Sequence, residues 1–171
     1  MSLIVETGSG STTAESYISV AEADTYHAAN GAPASWTAAS TADKESALRQ
    51  ATAYLDDRYA YQWRGTRAHE EQALRWPRTA VYDDDGFYVS SSSIPVRLGR
   101  AVAVVALALI EGTELYANQT NGGEVVEKSV KVGSIAITKV FAGSQSSQPT
   151  FPEARALLAG LIDPPGARLR G

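Results

Sequence analysis

The chain has 171 residues, 44% of them hydrophobic, a formal net charge of −4 and a pI near 5.2. Its length suits one domain with a sizeable core. With no cysteine it cannot form disulfides, thiolate zinc sites or thiol nucleophiles, and two histidines, His27 and His69, are too few for a multi-histidine metal centre. The acidic balance argues against a protein that coats nucleic acid, although the charge is uneven. Residues 1–93 hold 7 basic and 13 acidic side chains, and residues 94–171 hold 8 and 6. The N-terminus lacks a basic stretch followed by a long apolar run, so no signal peptide is expected.

"TGSGSTTAES" (7–16) reads as a loop. "SVAE" (19–22) has the form of a capping box, with Ser19 and Glu22 serving each other, and starts a helix that Asn30-Gly31 should stop. "GAPASW" reads as a turn. "STAD" (40–43) opens a longer helix to about Tyr59, with Leu48, Ala51, Leu55 and Tyr59 forming one apolar stripe. "AHEEQALRW" suggests a short helix that Pro77 stops at Trp76. "DDDG" is a turn. "SSSS" (90–93) should cap a third helix, with Pro95 in its first turn, running from Val96 to about Tyr116. This helix is apolar nearly all round, and its ten-residue run "AVAVVALALI" (101–110) is about half of what a bilayer needs. It should therefore be the central helix of a bundle, and no membrane partner is expected.

The period then changes from 3.6 to 2. "VEKSVKVGSIAITKVF" (126–141) reads as a β-hairpin turning at Gly133-Ser134. This register sets Val132 opposite Ile135, Val130 opposite Ile137, and Lys128 opposite Lys139, the last a like-charge pair. "AGSQSSQPT" (142–150) is a linker, and "PEARALLAGLI" (152–162) is a short amphipathic helix before a polar tail. The expected fold is mainly α: a small helical bundle (1–117), a projecting β-hairpin with its linker (118–150), and a C-terminal helical arm (151–171). Hairpin and arm each need a surface to lie on, their own bundle or a neighbouring subunit.

Chemistry-bearing motifs are sparse. Aligning Gly86 with the invariant glycine of a calcium loop puts Val81 and Ser92 at the first and twelfth ligand positions, so Asp83, Asp84 and Asp85 read as a solvated turn. "GSGS" (8–11) lacks the lysine and the strand-to-helix context of a phosphate loop. No nucleophile elbow is present. Asp56-Asp57 and Glu70-Glu71 are sequence neighbours that a helix would point in different directions. No catalytic residue, metal ligand or cofactor is assigned. The conspicuous feature is "QWRGTRAHEEQALRWPR" (62–78) with the residues just before it, which puts Trp63, Trp76, Tyr59, Tyr61, Arg58, Arg64, Arg67, Arg75 and Arg78 within about twenty residues. Such a cluster serves as a bundle core, a protein-docking surface or a single-strand nucleic-acid platform.

"SYISVAEADTYHAANG" (16–31), "WRGTR" (63–67), "QALRWPRTAVYDDDG" (72–86) and "IPVRLGRAVAVVALAL" (94–109) together resemble the head–tail connector, or adaptor, proteins of tailed bacteriophages. Similar sequences also carry the label DnaT-like single-stranded DNA-binding protein. The resemblance covers residues 1–115 well and 120–165 loosely. It implies a structural virion protein of the neck between capsid and tail, assembled in the host cytoplasm. Neighbouring copies would form a ring, most often twelvefold, that extends the DNA channel. Partners would be the portal protein, tail or tail-completion proteins and, transiently, packaged double-stranded DNA. No catalysis is implied. On this reading Leu157, Leu158, Leu161 and Ile162 would dock the arm on the portal. Arg64, Arg67, Arg75 and Arg78 would serve as polar clasps between or within subunits, Trp63 and Trp76 would hold the loop to the core, and Val130, Val132, Ile135 and Ile137 of the hairpin would serve contacts between subunits. The alternative is a DnaT-like single-stranded DNA-binding protein.

Overall fold

A computed structural model describes residues 2–116, 125–130, 137–141 and 149–164. The fold is mainly α. The elements are α1 (Val20–Ala29), α2 (Ala34–Ala38), α3 (Thr41–Arg58), β1 (Thr66–Arg67), β2 (Arg78–Thr79), α4 (Val96–Ile110), β3 (Val125–Val130), β4 (Ile137–Phe141) and α5 (Pro152–Leu157). They fall into two compact units. Residues 1–113 and 151–171 form the first, and residues 114–150 form the second.

Helix starts follow local chemistry. Ser19 Oγ accepts the Glu22 amide at 3.2 Å while the Glu22 carboxylate accepts the Ser19 amide at 2.9 Å, so both halves of the capping box are present. Ser40 caps α3 through the Asp43 amide. The stripe Leu48, Ala51, Leu55 and Tyr59 is buried. The start of α4 differs from expectation. Its N-cap is Pro95 itself, in an extended conformation, and the serines before it do not cap. The ring of Pro95 keeps Ile94 out of helical conformation, and the Pro95 carbonyl takes the first helical bonds, from Leu98 and Gly99. α4 also ends at Ile110 rather than near Tyr116, since Gly112 adopts a positive φ of 92° just beyond it.

α4 packs against α1, α2, α3 and α5, as expected of the central helix. Leu98, Ala101, Val102, Val105 and Ala106 are fully buried, whereas Val96 and Arg100 face solvent. "GAPASW" is not only a turn: Ala34–Ala38 form a short helix that buries Trp36. There Asp24 accepts the Trp36 indole N–H at 2.7 Å and the Lys44 ammonium at 2.9 Å, tying α1, α2 and α3 together.

Residues 68–77 do not form the expected helix. Their polar groups bond across the fold instead. The buried Gln72 amide accepts the His69 N–H and donates to the carbonyls of Leu74 and Pro77, and Ala73 N–H donates to Ser11. This loop brings β1 and β2 together, with Thr66 opposite Thr79 and Arg67 opposite Arg78. At Gly65 the backbone is left-handed, and a Cβ would run into the Thr79 carbonyl, so a side chain has no room there.

The C-terminal segment is not a detached arm. α5 and the turn after it belong to the first unit, and Ala154, Leu158, Leu161 and Ile162 are buried in its core. The backbone at Trp63 pairs antiparallel with that at Ile162: Arg64 N–H donates to Leu161 O at 3.0 Å, and Asp163 N–H donates to Gln62 O at 2.7 Å. Six helical residues bury too little alone, and the leucines gain their burial within their own chain.

In the second unit β3 and β4 pair antiparallel with the expected register: Val130 opposite Ile137, Ser129 opposite Thr138, and Lys128 opposite Lys139. An irregularity between Val125 and Glu127 shifts the far end, where Val125 pairs with Phe141. Val132, Ile135 and the expected turn lie outside the described residues.

Leu161→Ala should lower stability by about 2–5 kcal/mol. Guanidinium unfolding of the full chain checks this; a substitution without effect would mean that the end segment is not part of the core.

Candidate functional site

The tryptophan and arginine cluster turns inward. Trp63 and Trp76 are fully buried and meet edge to face, with ring centres 6.1 Å apart and an interplanar angle of 83°. Tyr59 stacks edge-on against Trp63 at 6.0 Å. Neither indole offers a face to a nucleic-acid base, because both are fully buried.

Arg78 is also buried. Its guanidinium donates to the carbonyls of Arg64 (2.6 Å), Gly65 (2.7 Å) and Arg75 (3.1 Å), stitching β2 to the chain before β1. Arg64 pairs with Asp84 at 2.8 Å and Asp163 at 3.1 Å, and donates to the carbonyls of Tyr82 and Gly160. It clasps the acidic turn and the C-terminal segment to the bundle. Arg67 and Arg75 are the exposed members of the set. Of the four arginines expected to act as clasps between or within subunits, Arg64 and Arg78 clasp within their own chain. Of the expected portal anchors, Leu158, Leu161 and Ile162 are core residues, which corrects the docking role given to them. Leu157 remains half-buried on the surface.

The loop bearing Trp76 hangs on one buried polar centre. Tyr17 Oη donates to the Asp56 carboxylate at 2.7 and 2.9 Å and accepts the Trp76 N–H at 3.0 Å, while Arg75 N–H donates to Asp56 Oδ2 at 2.9 Å. Burial pushes the Asp56 carboxyl up to about 6, against the Arg75 amide and Tyr17 hydroxyl, which favour its ionised form. Burial, then the Asp56 charge, pushes the Tyr17 phenol well above its ordinary range. Both side chains are less than a tenth exposed, at 4% and 8%, so this carboxylate serves the fold and has no opening to a substrate. Across the bundle, His27 is buried against Trp36, with ring centres 4.4 Å apart, and burial lowers its pKa.

A second buried carboxylate occupies the glycine-rich loop. Glu6 is 2% exposed and accepts the amides of Gly8 (2.8 Å), Gly10 (3.0 Å) and Ser11 (2.7 Å). Such a nest of amides is built to hold an anion, and here the chain supplies its own. Positive φ values at Gly8 and Gly10 make the curl possible. An acid placed just ahead of "TGSGS" was the signal in the sequence for this arrangement.

The acidic turn is less solvated than expected. Asp83 Oδ1 accepts the amides of Asp85 and Phe87, and Arg97 approaches its other oxygen at 3.5 Å. Tyr82 and Tyr88 pair across this turn and, with Phe87, are the exposed aromatics that composition did not single out.

These features define a small mainly α domain whose most conspicuous segment is scaffold, with an aromatic surface loop beside it. By comparison with known proteins, the chain belongs to the family described as "Putative DnaT-like ssDNA binding protein", whose model matches residues 1–170. No curated protein and no solved structure matches it.

Arg78→Ala should cost on the order of 2–3 kcal/mol, because three carbonyls lose a buried donor, while Arg67→Ala and Arg75→Ala should stay within about 0.5 kcal/mol. Chemical denaturation of the three variants gives the comparison.

The pH dependence of Asp56 has a definite sign. Its folded pKa lies above the unfolded value of about 4, so ionising it costs stability as pH rises between about 4 and about 6. His27 acts the other way, its contribution being lost as pH falls below about 6.5. Measured against Asp56→Asn, which retains His27, the wild-type chain should gain thermal stability between about pH 7 and about pH 5. Parallel curves for the two proteins would rule this out.

Proposed function

We propose that the chain is a structural binding subunit of the head–tail connector kind. It would sit between portal and tail, form a ring with neighbouring copies around the DNA channel, and catalyse no reaction. The observation that carries the reading is the inward commitment of the arginine and tryptophan cluster. Trp63 and Trp76 have no exposed face, Arg78 is spent on carbonyls, and Arg64 is spent on Asp84 and Asp163. Single-strand binding requires stacking faces beside free positive charge, and the exposed members of this cluster are Tyr61, Arg58, Arg67 and Arg75, with neither indole among them.

The exposed groups give further support. Tyr61, Tyr82, Phe87, Tyr88 and Val96 are exposed large side chains, a composition typical of protein interfaces. Asp83, Asp84 and Asp85 lie among three of them, where phosphates would be repelled. The net charge of −4 suits a conduit that must let DNA pass. The segments resembling connector proteins, residues 16–31, 63–67, 72–86 and 94–109, supply Tyr17 and Trp76 of the buried centre and nearly all of α4.

The family description favours a second reading, binding of single-stranded DNA. On this fold it would use the exposed Arg67 and Arg75 with Tyr61, and not the buried tryptophans.

Two measurements separate the readings. Mixed with its cognate portal, the purified chain should add a ring of density in electron micrographs. A labelled single-stranded oligonucleotide should show no saturable anisotropy change at physiological salt. Micromolar DNA binding that collapses with added salt, with no portal binding, would establish the second reading and end the first.

A further inference from the structure

A groove of about 780 Å³ runs between α1 and the start of α4, lined by Ile18, Tyr26, Ile94, Pro95, Val96 and Leu157 among others. Its volume falls within the range of about 300–1,000 Å³ that accepts an inserted group. Val96 on its edge is 70% exposed. Arg100, exposed at the rim, makes no ion pair among the described residues. Of the two acids in the same lining, Glu22 is turned back to Ser19 as a cap and Glu6 is held by the amides of Gly8, Gly10 and Ser11.

The same chain carries a knob. Residues 81–89 form a tight two-ended loop, closed by Val89 N–H to Val81 O at 3.0 Å and Asp83 N–H to Phe87 O at 3.0 Å. Asp83 accepts two amides inside it, and its base is held by the Arg64–Asp84 pair and by Arg97, which meets Asp83 at 3.5 Å while donating to Ala159 O at 2.8 Å. At its tip Phe87 is 72% exposed, flanked by Tyr82 at 56% and Tyr88 at 55%. A braced loop loses little conformational freedom on docking, and large aromatics are the usual anchors of such contacts. The side chain of the exposed Asp85 at this tip has no partner among the described residues.

We propose that the 81–89 knob of one copy seats in the α1–α4 groove of the next, with Phe87 and Tyr88 entering it and Asp85 meeting Arg100. The exposure of Phe87 shows that the knob does not fill its own groove. A knob and a complementary socket at different places on one chain give a head-to-tail contact, which closes into a ring or extends as a filament. The acidic tip and the unpaired guanidinium at the rim select a second copy as occupant. The inference stands on these surfaces alone and does not require the connector reading.

The absence of cysteine makes the test clean. Full-length chains carrying Phe87→Cys and Val96→Cys, mixed and oxidised in air, should join as a disulfide-linked heterodimer. A control pair, Phe87→Cys with Glu70→Cys, should not. In sedimentation velocity, Phe87→Ala should weaken self-association about thirtyfold or more. Asp85→Arg or Arg100→Asp alone should also weaken it, and the double exchange should restore it. All these positions are exposed, so circular dichroism should be unchanged. Cross-linking no better than the control, or association indifferent to either charge reversal, would overturn the proposal. So would Phe87→Ala impairing portal or DNA binding while leaving self-association intact. A chain that self-associates in this way but ignores portal would retire the connector reading and leave this contact standing.

Discussion

The Tyr17 hydroxyl, set between the Asp56 carboxylate and the Trp76 amide, is the contact on which the first unit depends. It joins the extended segment before α1, the body of α3 and the loop before β2. Trp76 is seated by it, and Trp76 in turn covers Trp63. With Trp63 in place, residues 62–64 can pair with 161–163, which draws the C-terminal turn into the core. The raised pKa of Asp56 shows that this centre is bought with desolvation. A buried carboxylate of this kind favours one arrangement strongly, because any shift that removes a donor strands a charge.

Carboxylates are used repeatedly as internal fasteners. Glu6 holds the glycine-rich loop, Asp24 joins three helices, Asp83 braces the aromatic loop, and Asp84 and Asp163 share Arg64. The acidic excess of residues 1–93 is therefore partly spent inside the fold rather than displayed as a field. Arg64 and Arg78 show the same economy. A guanidinium with its donors on backbone carbonyls or paired acids has little left for a phosphate.

This distribution bears on both functional readings. The amides of the glycine-rich loop are filled by Glu6, and the indoles lie in the core, so two features that suggest nucleic-acid or phosphate binding in a linear reading are already satisfied within the chain. Besides the exposed Tyr61, Arg67 and Arg75, the groups turned outward include the aromatic loop at 81–89 and the groove beside α4. They suit contacts with protein surfaces, where a few rigid aromatics supply most of the affinity.

Much of what depends on neighbours in sequence could be read from the sequence alone. The Ser19–Glu22 box, the Ser40 cap, the stripe on α3, the central place of α4 and the β3–β4 register all rest on spacings of two to four residues, and the local backbone enforces them. The partners of Arg64, Arg78 and the end leucines could not be read in this way, because a side chain's partner decides whether it is core, clasp or docking group. Asp56 lies 19 residues from Arg75 and 39 from Tyr17, and Arg64 lies 99 from Asp163. No periodicity records such distances. Only the folded chain brings these groups together, and burial then turns an apparent binding surface into a scaffold.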